Sequence, residues 1–214
     1  GPDEESFDAM TKQAKTALIA ALMMGTGALA LSQPALAKKE EQAAPAMKLS
    51  PAFQKPAFEA QQKLQANDLP AAETALAQAE AAAKSDDEVY IAARLRLGLE
   101  QSKLKASSGG DAAKFAAGSS ALLPAINKLI DSPKTPKEDV ARFLEFRGNV
   151  YYDSKKYAEA SADYERARAA GASDDDLSLQ LMKSKGEAGD VNGAAAELQR
   201  QIAAQPAGKK RSEE

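Results

Sequence analysis

Beyond residue 50, apolar residues recur at intervals of three and four, and no stretch alternates with the period of two that marks a half-buried strand. The pattern therefore predicts helix after helix, separated by short polar turns. Pro51 and Pro56 can stand only in or before a first turn, so the first helix is expected to settle at Pro56 and to end before Asn67 and Asp68. Pro70 opens a second, alanine-rich helix through Lys84. Ser85, Asp86 and Asp87 cap a third, which carries Val89, Ala92, Ala93, Leu95, Leu97, Leu99 and Leu104 and stops at Ser107-Ser108-Gly109-Gly110. Asp111 caps a fourth stretch with a kink or restart at Pro124, closed by Ser132-Pro133. Thr135-Pro136-Lys137-Glu138 has the form of a capping box and predicts a fifth helix to Asp153. Residues 156–170 form a sixth that ends at Gly171, Ser173-Asp174 start a seventh that Gly189 stops, and residues 191–204 make the eighth.

Two of these helices begin alike. Tyr157-Ala158-Glu159-Ala160 and Val191-Asn192-Gly193-Ala194 start matching helices 34 residues apart. That period, with helices in pairs, points to stacked helical hairpins. Between residues 141 and 174, Gly148, Tyr151, Ala160, Tyr164 and Ala167 fall in a small, aromatic, small, aromatic, small order at fixed spacing. This unit resembles the tetratricopeptide repeat family. Small residues at 148 and 160 let two antiparallel helices approach, while the tyrosines fill the space between hairpins. In the next unit Ala194, Leu198 and Pro206 match, whereas Met182, Lys185 and Gln201 replace the expected small, aromatic and small residues. Leu69, Ala72, Leu76 and Ala79 show the second-helix pattern earlier in the chain. The resemblance covers residues 53–206. It implies an all-α, right-handed solenoid of antiparallel helical hairpins, about eight helices in all.

Composition changes the picture at the N-terminal end. Lys12 and Lys15 precede an apolar run at residues 17–31, and Gln33-Pro34-Ala35-Leu36-Ala37 follows before a charged stretch. This is the layout of a secretory signal peptide over residues 10–37, with small side chains where the peptidase needs them and cleavage expected after Ala37. The run is shorter than a membrane span. Residues 1–9 read as a mis-set start or added remnant, 38–50 as a flexible leader, 51–206 as the repeat domain and 207–214 as a polar tail. Removing residues 1–37 leaves a nearly balanced charge, which predicts a mixed surface with no bias toward nucleic acid. With no cysteine, the exported product has neither disulfide nor lipid-bearing thiol. The expected location is the periplasm, with no membrane span after cleavage.

The chemistry is sparse. The chain has no His and no Cys, so the usual general base, thiol nucleophile and soft metal ligands are missing, and neither catalysis, metal nor cofactor is expected. Asp86-Asp87-Glu88 and Asp174-Asp175-Asp176 each precede a helix and read as caps that complement its dipole. In the last helix Val191, Ala194, Ala195, Leu198 and Ile202 form one apolar stripe, which suits a terminal helix: if it packs only on its own partner helix it caps the array, and self-association through this end is not required. The resemblance implies a concave face that holds an extended peptide or partner helix. Carried onto these residues it comprises Arg142, Glu145, Phe146, Asn149 and Tyr152, joined by Gln180 and Lys183 from the next unit. The expected function is an exported scaffold that binds proteins or peptides as an adaptor in a cell-envelope complex. The alternative is a binder of cell-wall glycan or peptide that uses Tyr151, Tyr152, Tyr157 and Tyr164 as a stacking surface.

Overall fold

The computed structural model describes residues 47–205. The expected signal peptide, most of the leader, Pro206 and the polar tail lie outside the described residues. Within them the elements are α1 (Pro51–Gln65), α2 (Leu69–Ala82), α3 (Asp86–Ser108), α4 (Ala112–Gly118), a 3-10 segment (Ser119–Leu122), α5 (Leu123–Asp131), α6 (Lys137–Asp153), α7 (Tyr157–Ala169), α8 (Asp175–Glu187) and α9 (Val191–Ala203). No strand occurs among the described residues, and none of their helices is long and apolar enough to cross a membrane. The protein is all-α.

Contacts group the chain into two units. Among the described residues, one takes in 47–128 together with Ser132–Lys134, and the other takes in Leu129–Asp131 and 135–205. In the first, α1 packs on α2, and both pack on α3. Phe53, Ala57 and Ala60 of α1 meet a core that includes Ala72, Leu76 and Ala79 of α2 and Tyr90, Ile91, Leu95 and Leu99 of α3. The alanines bury little area each, but they let helix axes come close, so dispersion between backbones makes up part of the difference. In the second unit α6 packs on α7, α7 on α8 and α8 on α9. Its core is Ala141, Leu144 and Val150, then Ala160, Tyr164 and Ala167, then Leu177 and Leu181.

Most boundaries fall where caps predict them. Ser85 and Glu88 form a reciprocal capping box, Asp111 accepts from the N–H groups of Ala113 and Lys114, and Asp174 accepts from that of Leu177. Gly109, Gly171 and Gly189 end their helices at φ of +58°, +109° and +87°, a region where a Cβ would be strained. Both acidic clusters thus work at helix N-termini.

Two boundaries differ. The first helix begins at Pro51 rather than Pro56, because the preceding Ser50 is anchored from outside. Its N–H and hydroxyl donate to the Glu88 carboxylate at 3.2 and 2.7 Å, and its carbonyl accepts from Gln54 N–H at 2.9 Å. Lys48 N–H also reaches Asp87, so the last residues of the expected leader are tied down. Pro56 then lies inside α1, where the hydrogen bond it cannot donate is offset by burying Phe53 and Pro56 itself. At the other boundary Thr135 does not cap α6. Its hydroxyl donates to the carbonyl of Leu129 at 2.5 Å, and Pro136 takes the cap position with no side-chain bond.

Candidate functional site

The other four α6 residues of the expected groove stand three, four, seven and ten positions after Arg142, which places all five on one side of the helix. Arg142 is exposed and ion-paired with Asp139 one turn back. Phe146 is half-buried and Asn149 is exposed. The Asn149 carbonyl oxygen accepts from the Tyr164 hydroxyl at 2.6 Å. With that oxygen engaged, the amide nitrogen is the group Asn149 can offer to a ligand, as a donor to a carbonyl or carboxylate. Tyr152 is half-buried, its ring edge-on to Tyr157 with centroids 5.2 Å apart. Burial pushes its hydroxyl up from the ordinary tyrosine value, and the charge of Glu187 adds to this.

Glu145 faces the start of α8. Burial first, then the charge and hydrogen bond of Asp174 and the charge of Asp176, push its carboxyl up to about 7. One side of the face is therefore poised between neutral and charged near physiological pH. Gln180, half-buried, and Lys183, exposed, stand one turn apart on α8. The hydrogen bonds and ring contacts described here tie the α6 residues to α7 and to Asp174, not to Gln180 or Lys183. The face thus has a defined α6 half and an α8 half that carries one polar and one cationic side chain.

The expected packing residues are placed as follows. Gly148, Ala160, Tyr164 and Ala167 are buried, Tyr151 is half-buried, Ala194 is partly covered and Leu198 is 46% exposed. A Cβ at Gly148 would lie 2.6 Å from the Tyr164 ring, so that glycine is required by close approach. Tyr151 lies beneath two cations, with Arg147 and Lys156 each 5.9 Å from its ring centroid.

What the sequence reading missed is charged and interior. Arg147 makes a two-pronged bond to the buried Asp163 at 2.7 and 2.8 Å, joining α6 to α7. Arg168 of α7 does the same to the buried Glu197 of α9 at 2.8 and 2.6 Å, and Lys185 of α8 lies 3.7 Å from that carboxylate. Arg96 of α3 is a hub for Glu73, Glu80 and Glu100. One signal was available: Asp163 and Glu197 are 34 residues apart, an acid in the same place in both units. Around Glu197 an open depression is lined by Glu165, Arg168, Lys185, Ala196 and Arg200, but its cations are spent on its acids. Among the described residues no group of acids is placed to hold a metal ion.

No protein-family model matches this chain, and no curated protein or solved structure matches it at a meaningful level.

Proposed function

We propose that this chain is an exported, tetratricopeptide-like scaffold that binds an extended peptide or a partner helix along the α6 and α8 face, serving as an adaptor in a cell-envelope complex and not as a catalyst. The observation that carries this reading is the make-up of one side of α6. Exposed Arg142 and Asn149 are interleaved there with half-buried Phe146 and Tyr152. Donors beside partly open aromatic rings suit a peptide, whose backbone carbonyls need donors and whose apolar side chains need area. The paired helices and the 34-residue echo support a short right-handed solenoid as the frame. Delivery to the periplasm is supported by the pattern of residues 10–37, and the product would begin at Lys38.

A photoreactive residue in place of Asn149, with Glu165 on α7 as control, tests the reading in cells. A specific adduct from position 149 alone supports groove binding and names the partner. Adducts at neither site, or equally at both, discard it.

A second reading, a binder of cell-wall glycan or peptide, rests on the tyrosines. Tyr164 is buried, so the stacking surface reduces to the half-buried Tyr151, Tyr152 and Tyr157. Tyr152→Ala should then abolish retention on isolated cell wall, and unchanged retention removes this alternative.

A further inference from the structure

The first turn of α9 holds a chemically labile pair. Asn192 and Gly193 form the chain's single Asn-Gly sequence; the other asparagines, Asn67, Asn127 and Asn149, are followed by Asp68, Lys128 and Val150. A glycine leaves the path from its own backbone nitrogen to the preceding carboxamide open, since no Cβ stands in the way. Asn192 is exposed and Gly193 half-buried, so water reaches the pair. At the corresponding place 34 residues earlier, α7 carries Ala158 and Glu159, which have no such chemistry.

The folded helix keeps the pair from reacting in two ways. Ring closure needs the Asn192 backbone to leave the helical ψ of about −42°, so that the Gly193 nitrogen comes over the carboxamide carbon. That nitrogen must also give up its proton, and its N–H is engaged, donating to the Asp190 carboxylate at 2.9 Å. A negative charge beside a nitrogen opposes its deprotonation. The same carboxylate fills the place where a Cβ would stand on residue 193, so the cap and the glycine depend on each other. The protection lasts only while α9 is closed. Its buried residue is Glu197, held by Arg168, and Ala194 lies against Gly186 of α8. A helix with so few buried apolar side chains opens locally at small cost in free energy.

We propose that Asn192 is a deamidation site gated by the opening of α9, and that isoaspartate formed there stops the helix from closing again. In the open helix the Gly193 nitrogen attacks Cγ of Asn192. The N–Cγ bond forms, the Cγ–Nδ2 bond breaks, and Nδ2 leaves as ammonia with the proton that the Gly193 nitrogen loses. Water then opens the succinimide. Attack at Cγ gives aspartate, whose charge suits the first turn of a helix. Attack at the main-chain carbonyl gives isoaspartate, in which the chain runs through Cγ and is one carbon longer. The added carbon carries the Gly193 N–H away from Asp190 and breaks the first turn.

The test incubates the full chain at pH 8 and follows conversion of amide to acid in the tryptic peptide of residues 186–200, with fragmentation that separates isoaspartate from aspartate. Conversion in the folded parent should be at least about tenfold slower than in the same chain held in urea. Asp190→Ala, which frees the Gly193 N–H, should speed it at least about threefold, and Arg168→Met, which releases Glu197, at least about fivefold, with the helical circular-dichroism signal largely kept. The isoaspartate-bearing chain should then show faster amide hydrogen exchange over residues 191–203, whereas an Asn192→Asp chain exchanges as slowly as the parent. Equal conversion in the folded and urea-treated chain, a rate indifferent to both substitutions, or isoaspartate-bearing chains that exchange like the parent would each overturn the proposal.

Discussion

Gly148 shows how one side chain fewer can decide a helix pair. The Tyr164 ring occupies the place of its missing Cβ and is itself fixed by the hydrogen bond from its hydroxyl to Asn149. Gly148→Ala should therefore lose about 1–2 kcal/mol net, since overpacking outweighs the gain in helix propensity. Adding Tyr164→Leu should recover part of that loss, and a double-mutant cycle by urea denaturation reads the coupling. The next unit already makes the complementary exchange, with Met182 and Leu198 at the corresponding places. Glu145 carries a second prediction. Its carboxyl is raised from 4.5 to about 7, so the folded chain holds a proton that the unfolded chain releases. The associated stability is complete below about 4.5 and is lost as pH rises through 7. Glu145→Gln should be more stable than the parent at pH 8, by about 1 kcal/mol once solvent screening of this partly exposed group is allowed for, and equal to it at pH 4. Thermal melts at the two pH values check this.

At the scale of elements, what was legible in the sequence was the punctuation. Ser85, Asp111 and Asp174, and the glycines after α3, α7 and α8, act through bonds to their own near neighbours, so local reading places them correctly. Misreadings occurred where a distant group intervened. Pro56 was read as a start because nothing nearby shows that Glu88, 38 residues beyond Ser50, holds the chain in place for an earlier one. Thr135 looked like a cap because the competing carbonyl of Leu129 belongs to the preceding helix. The candidate face was legible as a helical spacing on α6. Its charge state was not, because the Glu145 carboxyl depends on Asp174 and Asp176 at the start of another helix. The stripe on α9 was legible as a stripe, but its cover was not: Ala194 lies against Gly186 of α8, whereas Val191, Leu198 and Ile202 are exposed.

At the scale of the whole molecule, the α6 and α8 face and the exposed side of α9 in the second unit have different chemistry. The α6 and α8 face offers donors and aromatic rings, whereas α9 offers exposed aliphatic side chains. The units differ as well in how their charges are used: Arg96 gathers three acids at a partly exposed surface, while Arg147 and Arg168 each satisfy one buried acid. Removing one member of a buried pair costs more than removing one from a surface cluster, because the remaining charge is left without water or partner.

That anchoring makes the last helix separable from the rest. Helix α9 is joined to its neighbours through a charge more than through apolar burial, so its attachment can be weakened without loosening the tyrosine-filled α6 and α7 pair. The hydrogen bonds from Arg168 hold the Glu197 carboxyl below its ordinary 4.5 against the opposing effect of burial. The attachment is complete above 4.5 and fails as pH falls through the lowered value. Amide hydrogen exchange, corrected for its intrinsic pH dependence, should show residues 191–203 opening first on acidification, with Arg168→Met producing the same opening at pH 7. Exchange that rises uniformly across α6 to α9 would show one cooperative block instead. A hairpin end that can detach while its scaffold stays folded behaves as a latch, released by acid and closed again by neutral conditions.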